Sequence, residues 1–389
     1  MKRYTLFILM AIWSMVAVAQ TTVEVEVGAA NPARYMKHLE GQRVALFSNQ
    51  TGMVGDKHTL DILLENHVNV VTIFSPEHGF RGKADAGEKV SSSVDEKTGV
   101  PIYSLYGAKG GMPDDETMKK IDLIITDIQD VGLRYYTYYI TMIKLMDQCA
   151  RHDKRMLILD RPNPNGFYVD GPILDMKYKS GVGALPIPVV HGMTLGELAR
   201  MANGERWLGS GKRCKLTVIP CLNYTHQTLY RLPIAPSPNL PNMLSIYLYP
   251  SICYFEGTDV SLGRGTDKPF QQFGHPKMTG YDYCFTPRSV SGAKNPPQKD
   301  KQCFGRDLTT MSEEAARNNG LDLTYLIEAY HNLGIGDKFF TPFFEKLIGV
   351  SYVRTMIEAG SSAATIKARW HDDVEKFKKQ RRKYLLYKE

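Results

Sequence analysis

Four short apolar runs, interleaved with helical stretches and each closing on polar residues, constrain this chain more than any other feature. Arg43 to Phe47 runs into Ser48-Asn49-Gln50, and Val68 to Phe74 into Ser75-Pro76-Glu77-His78-Gly79. Ile121 to Thr126 ends at Asp127, and Arg155 to Leu159 at Asp160-Arg161-Pro162. Helical stretches are expected near Leu60 to Asn66 and from Tyr138 to Arg151. Near-continuous apolar strands alternating with helices require a parallel sheet covered on both faces. The expectation is a doubly wound α/β domain.

Such sheets carry their ligand crevice outside the carboxyl ends of the strands. The four polar strand ends should therefore converge: Asn49 and Gln50, Glu77 and His78, Asp127 and Asp130, Asp160 and Arg161. Each alone is an ordinary turn former or cap. Four in register point to a crevice. Glu77 is the most telling, because it has no helix to cap and turns poorly compared with Asp. A carboxyl held beside apolar strand ends acquires a raised pKa and suits general acid work. The competing reading is a salt bridge to Arg81. His78 would orient Glu77 or bind substrate.

The segment Gln129 to Tyr139 sets four tyrosines around Arg134. Tyrosine faces suit sugar rings, and the arginine fork suits a carboxylate. A helix start with aromatic core positions explains the same pattern. Thr194 to Glu197 has capping-box spacing, which accounts for Glu197 structurally. A strand is expected at Lys215 to Ile219. Pro233, Pro236, Pro238 and Pro241 then exclude both helix and central strand, so a domain boundary falls there. The division is 20–236 and 237–389.

Beyond it, Tyr247 to Glu256 reads as a strand leading into the glycine-rich loop Glu256 to Thr266, which holds Glu256 and Arg264. Helices are expected near Leu323 to Asn332 and from Ala363 to Tyr384. In the last, Ile366, Trp370, Val374 and Phe377 form a buried stripe. The run Lys378 to Lys383 reads as a solvated face.

The N-terminus reads as an export signal. Lys2 and Arg3 precede an apolar run from Leu6 to Val16, and Ala17-Val18-Ala19 fits cleavage before Gln20. The run is too short for a retained span, which needs about 20 residues. The expected mature protein is periplasmic or extracellular, with no membrane association after cleavage.

Net charge is +7, with 48 Lys and Arg against 41 Asp and Glu, too small a surplus for a nucleic-acid footprint. Six cysteines are too few for a disulfide framework. Cys214 with Cys221, or Cys284 with Cys303, are candidate pairs; buried free thiols are the alternative. Glycine fingerprints for nucleotides, the Gly-x-Ser-x-Gly elbow and His-Glu-x-x-His are all absent, so neither cofactor nor metal is expected.

Five strings then carry a resemblance: Ser75 to Gly82, Asp127 to Thr137, Leu159 to Pro164, Ser237-Pro-Asn-Leu-Pro241 and Glu256 to Thr266. Together they resemble the NamZ family of exo-β-N-acetylmuramidases across almost the whole mature chain. The resemblance implies a Rossmann-like, mostly parallel sheet without a nucleotide and a smaller α+β C-terminal domain, with the active site in the cleft between them. It also implies release of terminal N-acetylmuramic acid from the non-reducing end of peptidoglycan fragments. No protein partner is evident in the sequence. Glu77 matches the glutamate that looks catalytic in the family.

Glycoside hydrolysis needs a proton donor and a second group at the anomeric carbon. Glu77 is the expected donor, and Asp127, Asp130 and Glu256 are candidates for the second role. A substrate acetamido group could act instead. The lactyl carboxylate suits Arg134, Arg81 or Arg264. Asn49, His78, Tyr136, Asp160, Arg161 and Asn239 complete the expected binding set. The alternatives are a non-catalytic receptor for cell-wall fragments, and a metal-dependent deacetylase or phosphoesterase built on Asp127, Asp130 and His78.

Overall fold

The computed structural model describes residues 24–76, 79–80, 93–105 and 111–389. Glu77, His78, Arg81 and the signal segment lie outside the described residues.

The central sheet is built from β1 (Arg43–Ser48), β4 (Asn69–Ser75), β5 (Ser93–Val94), β6 (Pro101–Ser104), β7 (Leu123–Asp127), β8 (Arg155–Leu159) and β9 (Lys215–Ile219). A two-residue hairpin, β2 (Met53–Val54) and β3 (Lys57–His58), follows β1. The strand order is β5-β6-β4-β1-β7-β8-β9. All neighbours pair in parallel except the short edge strand β5. The expected doubly wound sheet is present; β4, β1, β7 and β8 form its centre, and β9, also expected, lies at one edge. The pair β5 and β6 was not anticipated, because two residues and a proline-led run carry no apolar signal.

Alternating side chains feed two cores. Val44, Leu46, Ile125 and Leu157 face one way, with Leu60 and Leu63 of α1 (Thr59–Glu65). Ala45, Phe47, Ile124 and Ile158 face the other, under α3 (Tyr138–Arg151) and α4 (Leu195–Gly204); α2 (Asp115–Lys119) precedes β7. Each fully buried side chain of this kind contributes roughly 1.5–3 kcal/mol. Thr194 and Glu197 close the expected capping box on α4.

The second part departs from expectation at its start. Tyr247 to Glu256 is not a strand: α5 (Met243–Ile252) occupies it, followed by a 3-10 segment, Cys253–Gly257. Asn242 caps the helix reciprocally with Ser245, and every helix residue is buried. A helix apolar on all sides has no period to distinguish it from a buried strand.

Three antiparallel strands follow, β10 (Gln272–His275), β11 (Tyr283–Phe285) and β12 (Cys303–Asp307), with β12 in the middle. Helices α6 (Glu313–Asn319), α7 (Thr324–Leu333), α8 (Phe343–Ile348) and α9 (Tyr352–Glu358) follow. Of these, α6 and α7 pack on α5, α8 packs on the 3-10 segment, and α7 also meets the strands through Tyr325 against Phe273 and Glu328 with Arg306. The expected final helix is divided into α10 (Ala363–Ala368) and α11 (His371–Arg381). Ile366, Trp370, Val374 and Phe377 are buried as a stripe nonetheless. The cationic run is not uniformly solvated: Arg381 is 4% exposed and donates to the Gly192 carbonyl and to Glu389. One apolar core runs from the α3 face of the sheet through Phe255, Phe273, Phe344 and Trp370.

All six cysteines are free thiols, five of them buried. Cys214 and Cys221 flank opposite ends of β9. On the paired strands Cys284 opposes Phe304 while Cys303 opposes Phe285, so alternation sends the two thiols to opposite faces. Neither candidate pair is brought together, and the other reading, buried free thiols, holds for five of the six.

Candidate active site

Past the carboxyl ends of the central strands, the helix start at Tyr135 to Tyr138 meets the second part of the chain across a hollow of about 630 Å³. Tyr136, Tyr138 and Tyr249 supply aromatic walls, and Glu256 and Arg264 supply charge. The aromatic residues are fixed from behind. Tyr136 Oη donates to the Pro236 carbonyl at 2.9 Å, and Tyr138 Oη to the same oxygen at 3.2 Å. Asn49, at the tip of β1, donates to Tyr138 Oη at 2.9 Å and accepts from Thr51 through its other side-chain atom. A strand end thus holds the wall without entering the hollow.

Glu256 and Arg264 form the ionic part of the lining. Arg264 directs Nε (2.9 Å) and Nη2 (2.6 Å) to the same oxygen, Glu256 Oε1. Both side chains keep about a fifth of their surface open, at 23% and 20%. The guanidinium lies 5.0 Å over the Phe270 ring, which fixes its plane. Asn239 lines the same hollow and donates to the Gly292 carbonyl at 3.0 Å. Of the expected site residues, Tyr136, Asn239, Glu256 and Arg264 converge here.

The other expected residues that the structure describes are committed to the fold. Asp127 is fully buried at the end of β7, with Oδ1 and Oδ2 both held by Arg161, at 2.5 and 3.0 Å. Thr59 adds its hydroxyl to Oδ2, and Arg161 also donates to the Met53 carbonyl. A buried carboxylate with both oxygens on one guanidinium fork is a structural ion pair. It leaves Asp127 ill-suited to ligate a cation.

Arg134, expected at a substrate carboxylate, is 0% exposed. Its two terminal nitrogens donate to the carbonyls of Pro172, Ile187, Leu347 and Ile348. It pins three chain segments and reaches no hollow. Asp160 lies under the start of α4, accepting from Thr194 Oγ1 at 2.6 Å, Gly196 N at 2.9 Å and Tyr387 Oη at 2.6 Å. Burial pushes its carboxyl up to about 6.

Asp130 is also buried. One oxygen accepts from Gly132 N at 2.8 Å, and the other has no hydrogen-bond partner. Burial raises its carboxyl to about 7, with backbone N–H groups opposing. It does not line the hollow. Among the described residues no group of three or more His, Cys, Asp or Glu is placed to hold a metal ion.

Tyr249, Phe270 and Lys294 are among the lining residues that the sequence does not mark. Tyr249 sits in the all-apolar run that fits strand or helix equally. Phe270 and Lys294 lie in irregular segments with no periodicity or motif to mark them.

The fold and this hollow define a two-domain α/β protein with a tyrosine-walled, ionic cleft between its parts. The chain belongs to the exo-beta-N-acetylmuramidase NamZ family, matching the N-terminal family model over residues 44–244 and the C-terminal one over 247–387. It is 40% identical over 375 residues to the peptidoglycan beta-N-acetylmuramidase NamZ of Bacillus subtilis (strain 168), covering 91% of this chain and 89% of that protein. Two DUF1343 family proteins of Bacteroides fragilis NCTC 9343, with crystal structures at 1.30 and 1.65 Å, share the fold. The first has a TM-score of 0.89 at 65% identity, covering 94% of this chain and all of that one. The second has a TM-score of 0.79 at 28% identity, covering 94% and 99%.

Proposed function

We propose that this protein is an exo-acting glycoside hydrolase that releases terminal N-acetylmuramic acid from the non-reducing end of peptidoglycan fragments. The carrying observation is the hollow itself. Its walls come from the segments matched by both family models, and it presents a carboxylate and a guanidinium between tyrosines. Tyrosine faces pack on the apolar faces of sugar rings, and the ionic pair supplies polar groups where a glycosidic bond would lie.

In this reading Glu77 is the general acid that protonates the leaving oxygen, two positions beyond the last residue of β4. Of the three candidates for the second role, Glu256 alone lines the hollow. Glu256 stabilises positive charge at the anomeric carbon or orients the group that attacks it. Arg264 is a positioning residue, fixing the Glu256 carboxylate in one orientation.

Incubation with a chromogenic N-acetylmuramide and its N-acetylglucosaminide counterpart tests this directly. Hydrolysis of the muramide is expected, and no release from it would overturn the assignment. Glu77→Gln should lower turnover by roughly two to four orders of magnitude while binding persists. Retained turnover would remove Glu77 from its role and favour another acid.

Residues 1–19 support export, with the mature chain acting in the periplasm or outside the cell. Among the described residues no helix is long and apolar enough to cross a membrane. Mass spectrometry of the exported protein should find an N-terminus at Gln20; an intact Met1 would contradict cleavage.

A further inference from the structure

Among the described residues three charged side chains line the hollow: Glu256, Arg264 and Lys294. Arg264 has two N–H groups of its fork on Glu256 Oε1, which commits that edge to the protein. Arg134 is sealed in the core. Lys294 differs from both in its setting. It is an exposed residue on the segment 292–297, all of which lines the hollow.

That segment is held in place rather than loose. Asn239 donates to the Gly292 carbonyl at 3.0 Å, and Val290 bridges Ala293. Pro296 presses on Gly265, where an added Cβ would meet Pro296 Cγ at 2.6 Å and where φ is +80°. The loop bearing Arg264 and the segment bearing Lys294 are thus packed against each other at a glycine that tolerates no side chain. Arg264 and Lys294 therefore line the hollow from adjoining segments.

N-acetylmuramic acid differs from N-acetylglucosamine by a lactyl ether that ends in a carboxylate. Resting on the muramidase reading above, we infer that Lys294 is the specificity-determining residue that pairs with this carboxylate. An ammonium carries three N–H donors, so it serves a protein neighbour and a substrate oxygen together. Lys294 already has a protein partner of its own. Its point charge needs no fixed approach angle, which suits an acid on a rotatable ether arm. The glucosaminide lacks the acid and gains nothing from this contact.

The test measures the wild-type protein, Lys294→Met and Lys294→Arg on a chromogenic N-acetylmuramide, the same compound with its lactyl acid converted to a methylamide, and the N-acetylglucosaminide. Lys294→Met should raise KM for the acid roughly ten- to hundredfold, leave the methylamide unaffected, and be largely rescued by Lys294→Arg. Calorimetric binding of free N-acetylmuramic acid should weaken by the same factor. An acid-over-amide preference that survives Lys294→Met, or equal losses on both, overturns the inference. Binding is read without turnover, so a wild-type protein that hydrolyses none of the three substrates sinks the muramidase reading separately. Unchanged binding in Lys294→Met sinks the role of Lys294.

Discussion

Tyr387, two residues from the C-terminus, donates its hydroxyl at 2.6 Å to Asp160, the residue that follows β8 in the first half of the chain. The backbone N–H groups of Leu386 and Tyr387 both reach Glu197 Oε1, at 2.8 and 3.3 Å, and His226 Nε2 meets that oxygen at 3.1 Å. The last residues are a strap locked onto the cap of α4. Glu197, explained by the sequence as half of a capping box, also anchors this strap.

Tyr387→Phe leaves a buried Asp160 oxygen with one donor fewer. The expected cost is about 1–2 kcal/mol, the usual penalty for under-satisfying a buried acceptor. Removing Tyr387 to Glu389 should cost more, because the N–H of Tyr387 and the Lys388 carbonyl that receives His226 N go with it. Urea unfolding of both variants measures this. An unchanged midpoint in the truncated chain would show the strap to be a passive tail.

Two of the buried carboxyls, Asp130 and Asp160, make stability depend on pH in an unusual direction. Asp130 is raised to about 7 and Asp160 to about 6, both chiefly by burial. Between the ordinary Asp pKa of about 3.9 and these values, the folded chain binds more protons than the unfolded one. Their contribution to stability therefore falls as pH rises from about 4 to about 7. Asp130→Asn removes one charge that must otherwise be buried, and should flatten this decline and gain about 1–3 kcal/mol at pH 8. Urea midpoints at pH 5 and pH 8 decide it; a variant less stable at pH 8 than wild type would show that the Asp130 charge is compensated.

Arg134 should behave as a keystone. Arg134→Lys keeps the charge but cannot supply four N–H groups in a plane to the carbonyls of Pro172, Ile187, Leu347 and Ile348. Loss of about 2–4 kcal/mol is expected, seen in denaturant unfolding, with KM for muramide little changed in the fraction that stays folded. A selective rise in KM at unchanged stability would return Arg134 to the substrate.

Glu256→Gln keeps the size of the side chain and its acceptor toward Arg264 while removing the charge. Turnover of a muramide should fall by about two orders of magnitude or more with little change in substrate binding. Wild-type turnover would move the second role to another group, including the acetamido of the substrate.

The architecture was readable because apolar runs with period-two and period-3.6 patterning report burial locally. β1, β4, β7, β8 and β9 fall where the runs of Val, Ile and Leu predict them, and α3 spans the expected residues. Where a segment is apolar on every side the pattern vanishes, as at α5, and the same letters fit strand or helix. Much of the site was legible in kind but not in person. The tips of β7 and β8 do meet, but there Asp127 and Arg161 satisfy each other, and Asp160 is claimed by Thr194, Gly196 and Tyr387.

By itself the sequence determined a parallel α/β sheet, a second unit beyond the proline-rich segment, and the chemical inventory of acids, arginines and tyrosines at the strand tips. Those follow from composition and spacing along the chain. Only the tertiary structure decided which of these groups face a hollow and which face each other. Partnership between buried charges is set by residues hundreds of positions apart, as with Arg134 and Ile348 or Asp160 and Tyr387, and no local pattern encodes it.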